Sequence, residues 1–442
     1  MEMVLEFLRD VLSQPALLIG IMSCIGLIAL KRPFHKIMTG TLKPILGYLM
    51  LAAGAGVIVS NLDPLGKMIE HGFHITGVVP NNEAIVAVAQ KVLGVETMSI
   101  LVVGLLMNLC IARFTKFKYV FLTGHHSLFM ACLMSAVLGT AGLSGMELIL
   151  VGGFLMGAWS AISPAIGQSY TSKVTDGDEI AIGHFGSLGY YLSAWVAKYV
   201  GKAEDSTEDI EIPEKWGFLR DSTLSTALTM IVFYLIAAFA AGSEFVATLS
   251  GDMSPYLYAV MSAMNFAVGV TIVYSGVRMI LGDLIPAFQG IATKIIPNAI
   301  PAVDCAVFFT YAPTAVVLGF LSSFIGGIIG MLILGAVGGV LIIPGLVPHF
   351  FCGATAGIYG NATGGRRGAA VGAFLNGLAI TFLPALALPV LGQLGFQNTT
   401  FGDADWVGMA GIYGIVAIAA LVLIIPNFIK TKGKVINYVE ED

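Results

Sequence analysis

The chain has 442 residues, of which 57% are hydrophobic and only 11% are charged. An ordinary soluble domain has about 25% charged residues, and no soluble core can bury so large an apolar fraction. The composition therefore excludes a soluble enzyme and a nucleic-acid-binding protein, and it predicts an all-α polytopic membrane protein. The net charge of −5 rests on so few charged residues that it indicates little about partners.

Apolar segments long enough to cross a bilayer follow one another along the chain. About 20 apolar residues span the hydrocarbon core, and we predict about eleven transmembrane helices. They cover residues 14–30, 45–60, 98–112, 119–141, 145–167, 224–242, 255–277, 314–338, 340–360, 368–392 and 407–427. The N-terminus lacks a basic segment followed by a cleavage site, so we expect the first segment to be a retained span.

The basic residues predict the orientation of these spans. With the N-terminus outside, 19 of the 22 Lys and Arg residues fall on one side of the membrane, and only Arg9, Lys67 and Lys91 fall on the other. Cytoplasmic loops carry an excess of Lys and Arg. We therefore predict that the N-terminus lies outside, that the C-terminus and the long loop 168–223 lie inside, and that the number of spans is odd.

A weak internal repeat divides the chain into two halves. Residues 64–83 and 286–305 each begin with Pro, continue as an amphipathic segment and reach a Pro-containing turn with an acidic residue. A unit of five spans must insert upside down the second time, which gives the inverted repeat common among transporters. We predict halves 14–167 and 224–392 within one membrane domain, 1–442, and the extra final span. A chance alignment is the alternative.

Two segments are too polar and too rich in Pro for clean spans. They cover residues 76–97 and 296–313. Pro removes a backbone donor and ends helices, and irregular backbone at membrane depth needs a cover of protein or a water-filled cavity. We predict two re-entrant hairpins that dip into the membrane. Ordinary loops with surface helices are the alternative.

Few polar residues lie within apolar segments, and we examine each as a ligand contact. An intramembrane His or Asp costs free energy unless it has a partner or lines a cavity. We predict that His125, His126 and Asp304 contact a hydroxylated ligand; a hydrogen-bonded structural His and a helix N-cap are the alternatives. His184 lies in a part of the long loop that could re-enter the membrane, and either a ligand contact or a docking surface would explain it.

Asn82 and Glu83 occupy the place in the first half that Asp304 occupies in the second. Ligand contact and a helix cap both remain open for this pair.

The sequence contains no motif of soluble-type catalysis. GGRRG at 364–368 lacks the ending of a phosphate-binding loop, and neither HExxH nor GxSxG occurs. The five cysteines have no metal-ligand spacing, and we expect them to be buried small hydrophobes. We predict no catalytic residue, no metal and no cofactor.

Three segments resemble the membrane (IIC) component of ascorbate-type phosphotransferase systems. They read LTGHHSLF, VTDGDEIAIGHFGSLGYYLSAWVAKYVGK with EDSTEDIEIP, and IPAVDCAVFFTYAPTAVVLGF. The resemblance extends over nearly the whole chain. It implies eleven spans with an inverted repeat, a V-shaped dimerisation domain and a mobile core. It also implies a homodimer with elevator-type motion in the bacterial inner membrane.

The resemblance further implies the ligand and the partners. Such proteins bind L-ascorbate and deliver it to a soluble IIB protein that carries a phosphocysteine. A IIA phosphohistidine, and ultimately phosphoenolpyruvate, supplies that phosphoryl group, and the product is ascorbate 6-phosphate. A thiolate nucleophile needs an accessible, electropositive setting, which we expect for none of the five cysteines here. The phosphoryl chemistry would therefore reside on the partners.

The ligand contacts that the resemblance implies lie in four places. The residues that make these contacts are Asn82, Glu83, His125, His126, Ser127, Leu128, Phe129, His184, Phe185 and Asp304. Phe129 and Phe185 stand where the family has Gln, and Asn82 and Glu83 stand where it has Thr and Tyr. A related polyol or sugar acid is therefore an alternative ligand.

The sequence leaves two other functions open. An ion-coupled secondary transporter of a small sugar acid or polyol would use the same kind of fold, but acidic residues within the spans are scarce. A membrane enzyme acting on lipid-linked substrates would need a nucleophile or metal cluster, and the sequence indicates neither.

Overall fold

The structure is a computed structural model that describes most of the chain. The residues described are 11, 14–74, 77–80, 82–210, 222–392 and 399–411. Helices account for most of them. The helices are α1 (Pro15–Ala29), α2 (Phe34–Gly72), α3 (Asn82–Phe114), α4 (Gly124–Thr140), α5 (Gly145–Thr175), α6 (Ser187–Val200), α7 (Ser222–Ala241), α8 (Ser243–Ser250), α9 (Pro255–Lys294), α10 (Pro313–Ala336) and α11 (Leu346–Gly392).

Five short strands and a 3₁₀ helix lie between these helices in the described part. The strands are β1 (Val79–Pro80), β2 (Tyr119–Phe121), β3 (Ala181–Ile182), β4 (Ile300–Val303) and β5 (Thr399–Thr400), and the 3₁₀ helix is Cys305–Thr310.

Several helices are long and apolar enough to cross a membrane. Among the described residues there are six, or up to seven if α7 and α8, which meet at 116°, form one span. Large apolar side chains on these helices are exposed, as at Leu46, Leu106 and Val232. Apolar surface of this extent suits lipid rather than water. The chain is therefore a mostly helical, multi-pass membrane protein, as the composition predicts.

Two predicted spans are not continuous helices. In segment 119–141 the first three residues form β2 and α4 begins at Gly124, because the aromatic and β-branched residues there pair with β4. In segment 340–360, α11 begins only at Leu346. The final predicted span, 407–427, lies mostly outside the described residues.

The predicted loop 168–223 is largely structured where it is described. α5 continues to Thr175, and β3 and α6 follow. Tyr190 and Tyr191 of α6 are buried, so the apolar run that could re-enter the membrane packs inside the protein.

The acidic segment that follows α6 also packs on the helices. The carboxylate of Glu208 accepts hydrogen bonds of 3.1 Å from the backbone N–H groups of Thr314 and Ala315. Nearby, the Thr207 N–H donates to Asn361 Oδ1. Glu208 thereby satisfies donors at the start of α10 that have no partner within the helix.

The strands join distant parts of the chain. β2, β4 and β3 form a parallel sheet in which Tyr119 lies opposite Ile300 and Ala181 opposite Ala302. β1 pairs in parallel with β5. Strand pairing satisfies backbone groups that no water reaches within a membrane. It also places the starts of α4, α6 and the 3₁₀ helix side by side.

Both predicted hairpin segments consist of an extended strand followed by helix. β1 precedes α3, whose backbone is interrupted at Leu93, and β4 precedes the 3₁₀ helix and α10. Each strand pairs with remote segments rather than with its own neighbour. That these segments dip into the membrane stays a prediction.

The helices pack in two main groups. One consists of α1, α2, α7, α8 and α9, and the other contains α3–α6, α10 and α11. Within the second group, α10 and α11 approach so closely that a Cβ at Gly319 would lie 2.5 Å from the carbonyl oxygen of Gly353. α11 itself is broken at Gly364 and Gly365, where Gly365 has φ +60.

Candidate ligand-binding site

A cavity of about 1440 Å³ has walls from both helix groups. One wall comes from α2 and α7, with Tyr48, Leu62 and Phe233 among its residues. The other comes from α4, α10, α11 and the segments between strands and helices. Most of the lining is apolar, which is typical of small-molecule sites with a few placed polar groups. The buried polar groups of the lining are His126, His184, Asp304 and Asp403.

The strand pairings bring this polar cluster together. His126 lies in the first turn of α4, His184 lies between β3 and α6, and Asp304 lies between β4 and the 3₁₀ helix. All are at most 9% exposed. The ring centroids of His126 and His184 are 3.9 Å apart. Buried polar groups this close in a cavity form a site that can bind hydroxyl groups by donating and accepting hydrogen bonds.

Hydrogen bonds define the role of His184. The backbone N–H of Gly186 donates to its Nδ1 at 2.9 Å, and the Tyr190 hydroxyl lies 2.9 Å from the same atom. A ring nitrogen that accepts from a backbone N–H carries no proton, so the proton of the neutral ring is on Nε2. His184 is therefore a hydrogen-bond donor through Nε2.

Asp403 is a site residue that sequence reasoning missed. Its Oδ2 lies 3.2 Å from Nδ1 of His126, and it is 4% exposed. It follows β5, in a stretch interpreted as lying between two spans. The available signal was the FGDAD sequence at 401–405, where two acidic residues stand in an apolar context.

Asp405 anchors this stretch to α6. Its carboxylate accepts hydrogen bonds from Trp159 Nε1 at 3.0 Å, Ser187 Oγ at 2.6 Å and the Leu188 N–H at 2.9 Å. Its backbone N–H donates to the Phe185 carbonyl at 2.8 Å. Burial raises the pKa of Asp405 to about 7, although these donors oppose the shift. The anchor fixes Asp403 relative to His184.

The remaining predicted residues of α4 divide between two places. Leu128 and Phe129 line the cavity with His126. Ser127 lines a separate, smaller pocket with Asn108 and Ser160, and its Oγ donates to the Thr123 carbonyl at 3.2 Å. Its placement favours a structural contact.

Phe185 is fully buried and stacks on Phe121 with ring centroids 4.8 Å apart. It is not among the residues that line the cavity.

Asn82 and Glu83 begin α3, and His125 lies in the first turn of α4. The side chains of these three lie outside what the structure describes. Pro80, two residues before Asn82, lines the cavity.

Two sets of side chains in the cavity could hold a metal ion. One is His126, His184 and Asp403, and the other is His184, Asp304 and Cys305; within each set the donor atoms lie within 4.8 Å of one another. Zinc accepts such nitrogen, oxygen and sulfur ligands. Either set would have to use Nε2 of His184, because Nδ1 accepts the Gly186 N–H. The prediction that the protein uses no metal stays a prediction.

All five cysteines are free thiols. Cys305 and Cys352 line the cavity and are buried. The expectation that every cysteine is buried is wrong for Cys110, which is exposed on α3. Its neighbours Leu106 and Phe114 on that helix are also exposed, and this face of the helix is therefore largely apolar.

Comparison with known proteins decides the family. The sequence model of the family described as "PTS system sugar-specific permease component" (EIIC-GAT) matches residues 10–405. The chain belongs to this permease family. It is also 28% identical over 417 residues to the "Ascorbate-specific PTS system EIIC component" of Mycoplasma pneumoniae (strain ATCC 29342 / M129 / Subtype 1). That match covers 80% of this chain and 62% of the relative, so the permease chain spans less than two thirds of its relative's length.

Proposed function

We propose that the chain is the membrane permease of a phosphoenolpyruvate-dependent phosphotransferase system and that it binds and translocates L-ascorbate. The observation that carries this proposal is the cluster of His126, His184, Asp304 and Asp403 in the wall of a large, mostly apolar cavity. The family membership and the ascorbate-specific relative support it.

The polar groups match a compact ligand with several hydroxyls. His184 donates through Nε2, and the carboxylate of Asp304 accepts from ligand hydroxyls. Charge-assisted hydrogen bonds of this kind are about twice as strong as neutral ones. Phe129, which lines the cavity, contributes an apolar contact. Leu128 lines the cavity with Phe129, and Asn82, Glu83 and His125 stay predicted contacts, whereas Ser127 and Phe185 do not line the cavity.

The permease acts with soluble partners. A IIB protein phosphorylates the bound ligand from its phosphocysteine, and a IIA phosphohistidine recharges IIB. The phosphorylated product carries more negative charge beside Asp304, so it leaves the site. Phosphorylation thereby supplies the direction of transport.

We also propose the family architecture for this chain: eleven spans in the bacterial inner membrane, N-terminus outside, C-terminus inside, an inverted repeat and a homodimer. α11 supports the larger count, since its span candidate Leu346–Pro389 is 44 residues long, about twice one crossing, and breaks at Gly364 and Gly365. The cavity has one wall in each helix group, which supports an elevator-type motion of one group against the other.

Ligand binding to the purified, detergent-solubilised chain tests the proposal. We expect saturable L-ascorbate binding that Asp304→Asn weakens by about tenfold or more, since hydrogen bonds to a charged group contribute about 1.5–3 kcal/mol. Glu204→Gln is the control, because Glu204 is exposed outside the cavity. Normal binding by a folded Asp304→Asn chain would remove Asp304 from the site. Competition by galactitol or a sugar acid, with no ascorbate binding, would assign the ligand to that compound.

An ion-coupled transporter is the second candidate. Asp304 and Asp403 place two buried carboxylates in the cavity, and such groups are typical of proton- or cation-coupled carriers. Uptake of ascorbate by proteoliposomes that contain only this chain and an ion gradient would favour this function. Uptake that requires phosphoenolpyruvate and the soluble partners would favour the permease of a phosphotransferase system.

A further inference from the structure

The loop 201–210, which follows α6, is hydrogen-bonded to two further helices of the group that holds the ligand cluster. The Arg366 N–H, just after the break in α11, donates to the Asp205 carbonyl at 2.8 Å. The N–H of Thr207 bonds to α11, and the carboxylate of Glu208 accepts from the start of α10. Because these contacts fix its backbone, the loop is a preorganised surface.

Three basic side chains are exposed where this loop meets the break in α11. They belong to Lys202, Arg366 and Arg367. A Cβ at Gly201 would lie 3.2 Å from the Cβ of Arg367, so the loop and the arginines share one surface. None of the three side chains forms an ion pair with a described residue. Their charges are therefore available to a partner outside the chain.

Helix stability does not explain the two arginines. Gly364 and Gly365 interrupt α11, and Arg366 and Arg367 begin the part that follows. The first turn of a helix favours acidic residues and disfavours basic ones. An orientation signal would account for the charges, but it would not account for the ordered loop beside them.

We propose that the loop 201–210 and the adjacent Arg366 and Arg367 form the docking surface for the soluble protein that phosphorylates the ligand. The inference rests on the proposed function, which requires such a partner. The surface belongs to the same helix group as the ligand cluster. A donor docked there keeps its position relative to the ligand when this group moves against the other.

The charges indicate the chemistry of the partner's surface. Three unpaired cations in one place fit an acidic patch, and complementarity of this kind raises the rate of association. Glu204 and Asp205 are exposed in the same loop, so the surface carries both signs. A folded protein can match such a pattern, whereas the carboxylates would repel anionic lipid headgroups. We therefore assign the surface to a protein.

The surface recognises the body of the partner rather than its phosphocysteine. α6 has 14 residues, and with a rise of about 1.5 Å per residue it separates the surface from His184 by about 20 Å. A phosphoryl group held by the arginines would lie too far from a ligand in the cavity. The phosphocysteine therefore belongs to another part of the partner.

Binding of the IIB protein of the same system to the full chain in detergent tests the surface. We expect Arg366→Glu/Arg367→Glu to weaken IIB binding by about tenfold or more at low ionic strength. The difference should shrink in about 1 M salt, which screens charges beyond about 3 Å. L-ascorbate binding should stay unchanged, because the arginines do not line the cavity. The milder Arg366→Gln/Arg367→Gln, with an expected loss of about threefold, replaces the charge reversal if that variant does not fold.

The matched control is Arg32→Glu/Lys36→Glu. Both residues are exposed on the predicted cytoplasmic side, but they lie at the start of α2 in the other helix group. This control reverses as many charges and should bind IIB like the wild-type chain. Equal losses in the two double variants, or full binding by both, would overturn the inference.

Failure of the proposed function would look different. A wild-type chain that binds ascorbate but no IIB would contradict both the partner and its docking surface. A chain that binds IIB but no ascorbate would contradict the ligand alone, and the arginine variant would still decide on the surface. If that variant binds IIB fully and loses only its thermal stabilisation by phosphatidylglycerol, the surface binds lipid and the inference is wrong.

Discussion

The indole N–H of Trp159 donates a 3.0 Å hydrogen bond to the carboxylate of Asp405, and both side chains are buried. Trp159 lies in the middle of α5, whereas Asp405 lies on the last described stretch of the chain. The same carboxylate accepts from Ser187 and Leu188 at the start of α6. One acidic side chain thereby joins three segments around the ligand cavity.

Replacing this carboxylate should destabilise the fold. In Asp405→Asn the amide N–H₂ faces a buried donor, and an unsatisfied buried group costs about 1–3 kcal/mol. We expect a lower thermal unfolding temperature in detergent. Asp252→Asn changes an exposed Asp and should leave that temperature unchanged; equal unfolding temperatures in the two variants would contradict the role of Asp405.

The same residue should make stability depend on pH. Burial raises the pKa of Asp405 from 3.8 to about 7, so the folded state binds more protons than the unfolded state between these values. The free energy of unfolding then decreases as pH rises through that range. Relative to Asp405→Asn, the wild-type chain should lose stability between about pH 4 and pH 7. A difference that stays constant with pH would show that Asp405 does not titrate there.

The contact between α10 and α11 should not tolerate a methyl group. A Cβ at Gly319 would lie 2.5 Å from the Gly353 oxygen and 2.8 Å from Gly357 Cα. Gly319→Ala should therefore force the helices apart and cost about 1–3 kcal/mol. The matched change Gly56→Ala adds a methyl group with nothing within 4 Å and should be neutral or stabilising by up to about 1 kcal/mol. Chemical unfolding in detergent compares the two, and similar effects would argue against the close packing.

Glu208 should contribute to stability as a helix cap. Its carboxylate accepts from Thr314 and Ala315 at the start of α10, and loss of such a cap costs about 1 kcal/mol. We expect Glu208→Ala, which removes the acceptor, to lower the unfolding temperature, while Glu204→Ala, at an exposed residue of the same segment, should not. Unfolding curves followed by circular dichroism would distinguish them.

The orientation can be read from the accessibility of introduced cysteines. In a variant without native cysteines, Lys116→Cys and Arg366→Cys should react with a membrane-impermeant maleimide only from the cytoplasmic side. Lys67→Cys should react from outside, since the Lys67 side chain is 53% exposed and belongs to the predicted outer surface. The reverse pattern would invert the predicted topology.

The membrane class follows from composition, because lipid requires apolar residues over each crossing. The strands could not be predicted from composition, since β2 and β4 are extended only because they pair with each other across a long stretch of chain. Local sequence therefore made 119–141 look like one helix. The pairing of β1 with β5 escaped prediction for the same reason.

The candidate site was predictable in part. His126, His184 and Asp304 are polar residues in apolar segments, and the structure brings them together. That His126 faces the cavity depends on the rotation of its helix, because successive residues point about 100° apart. Asp403 was missed since its partner, His126, lies far away in sequence and no local pattern connects them.

The pairing of β5 with β1 also determines when the site can exist. The ribosome delivers residues 399–405 after every other described wall of the cavity has been synthesised. Until then His126 lacks Asp403, and the start of α6 lacks the carboxylate of Asp405. A partly synthesised chain can therefore insert most of its helices before the lining of the cavity is complete.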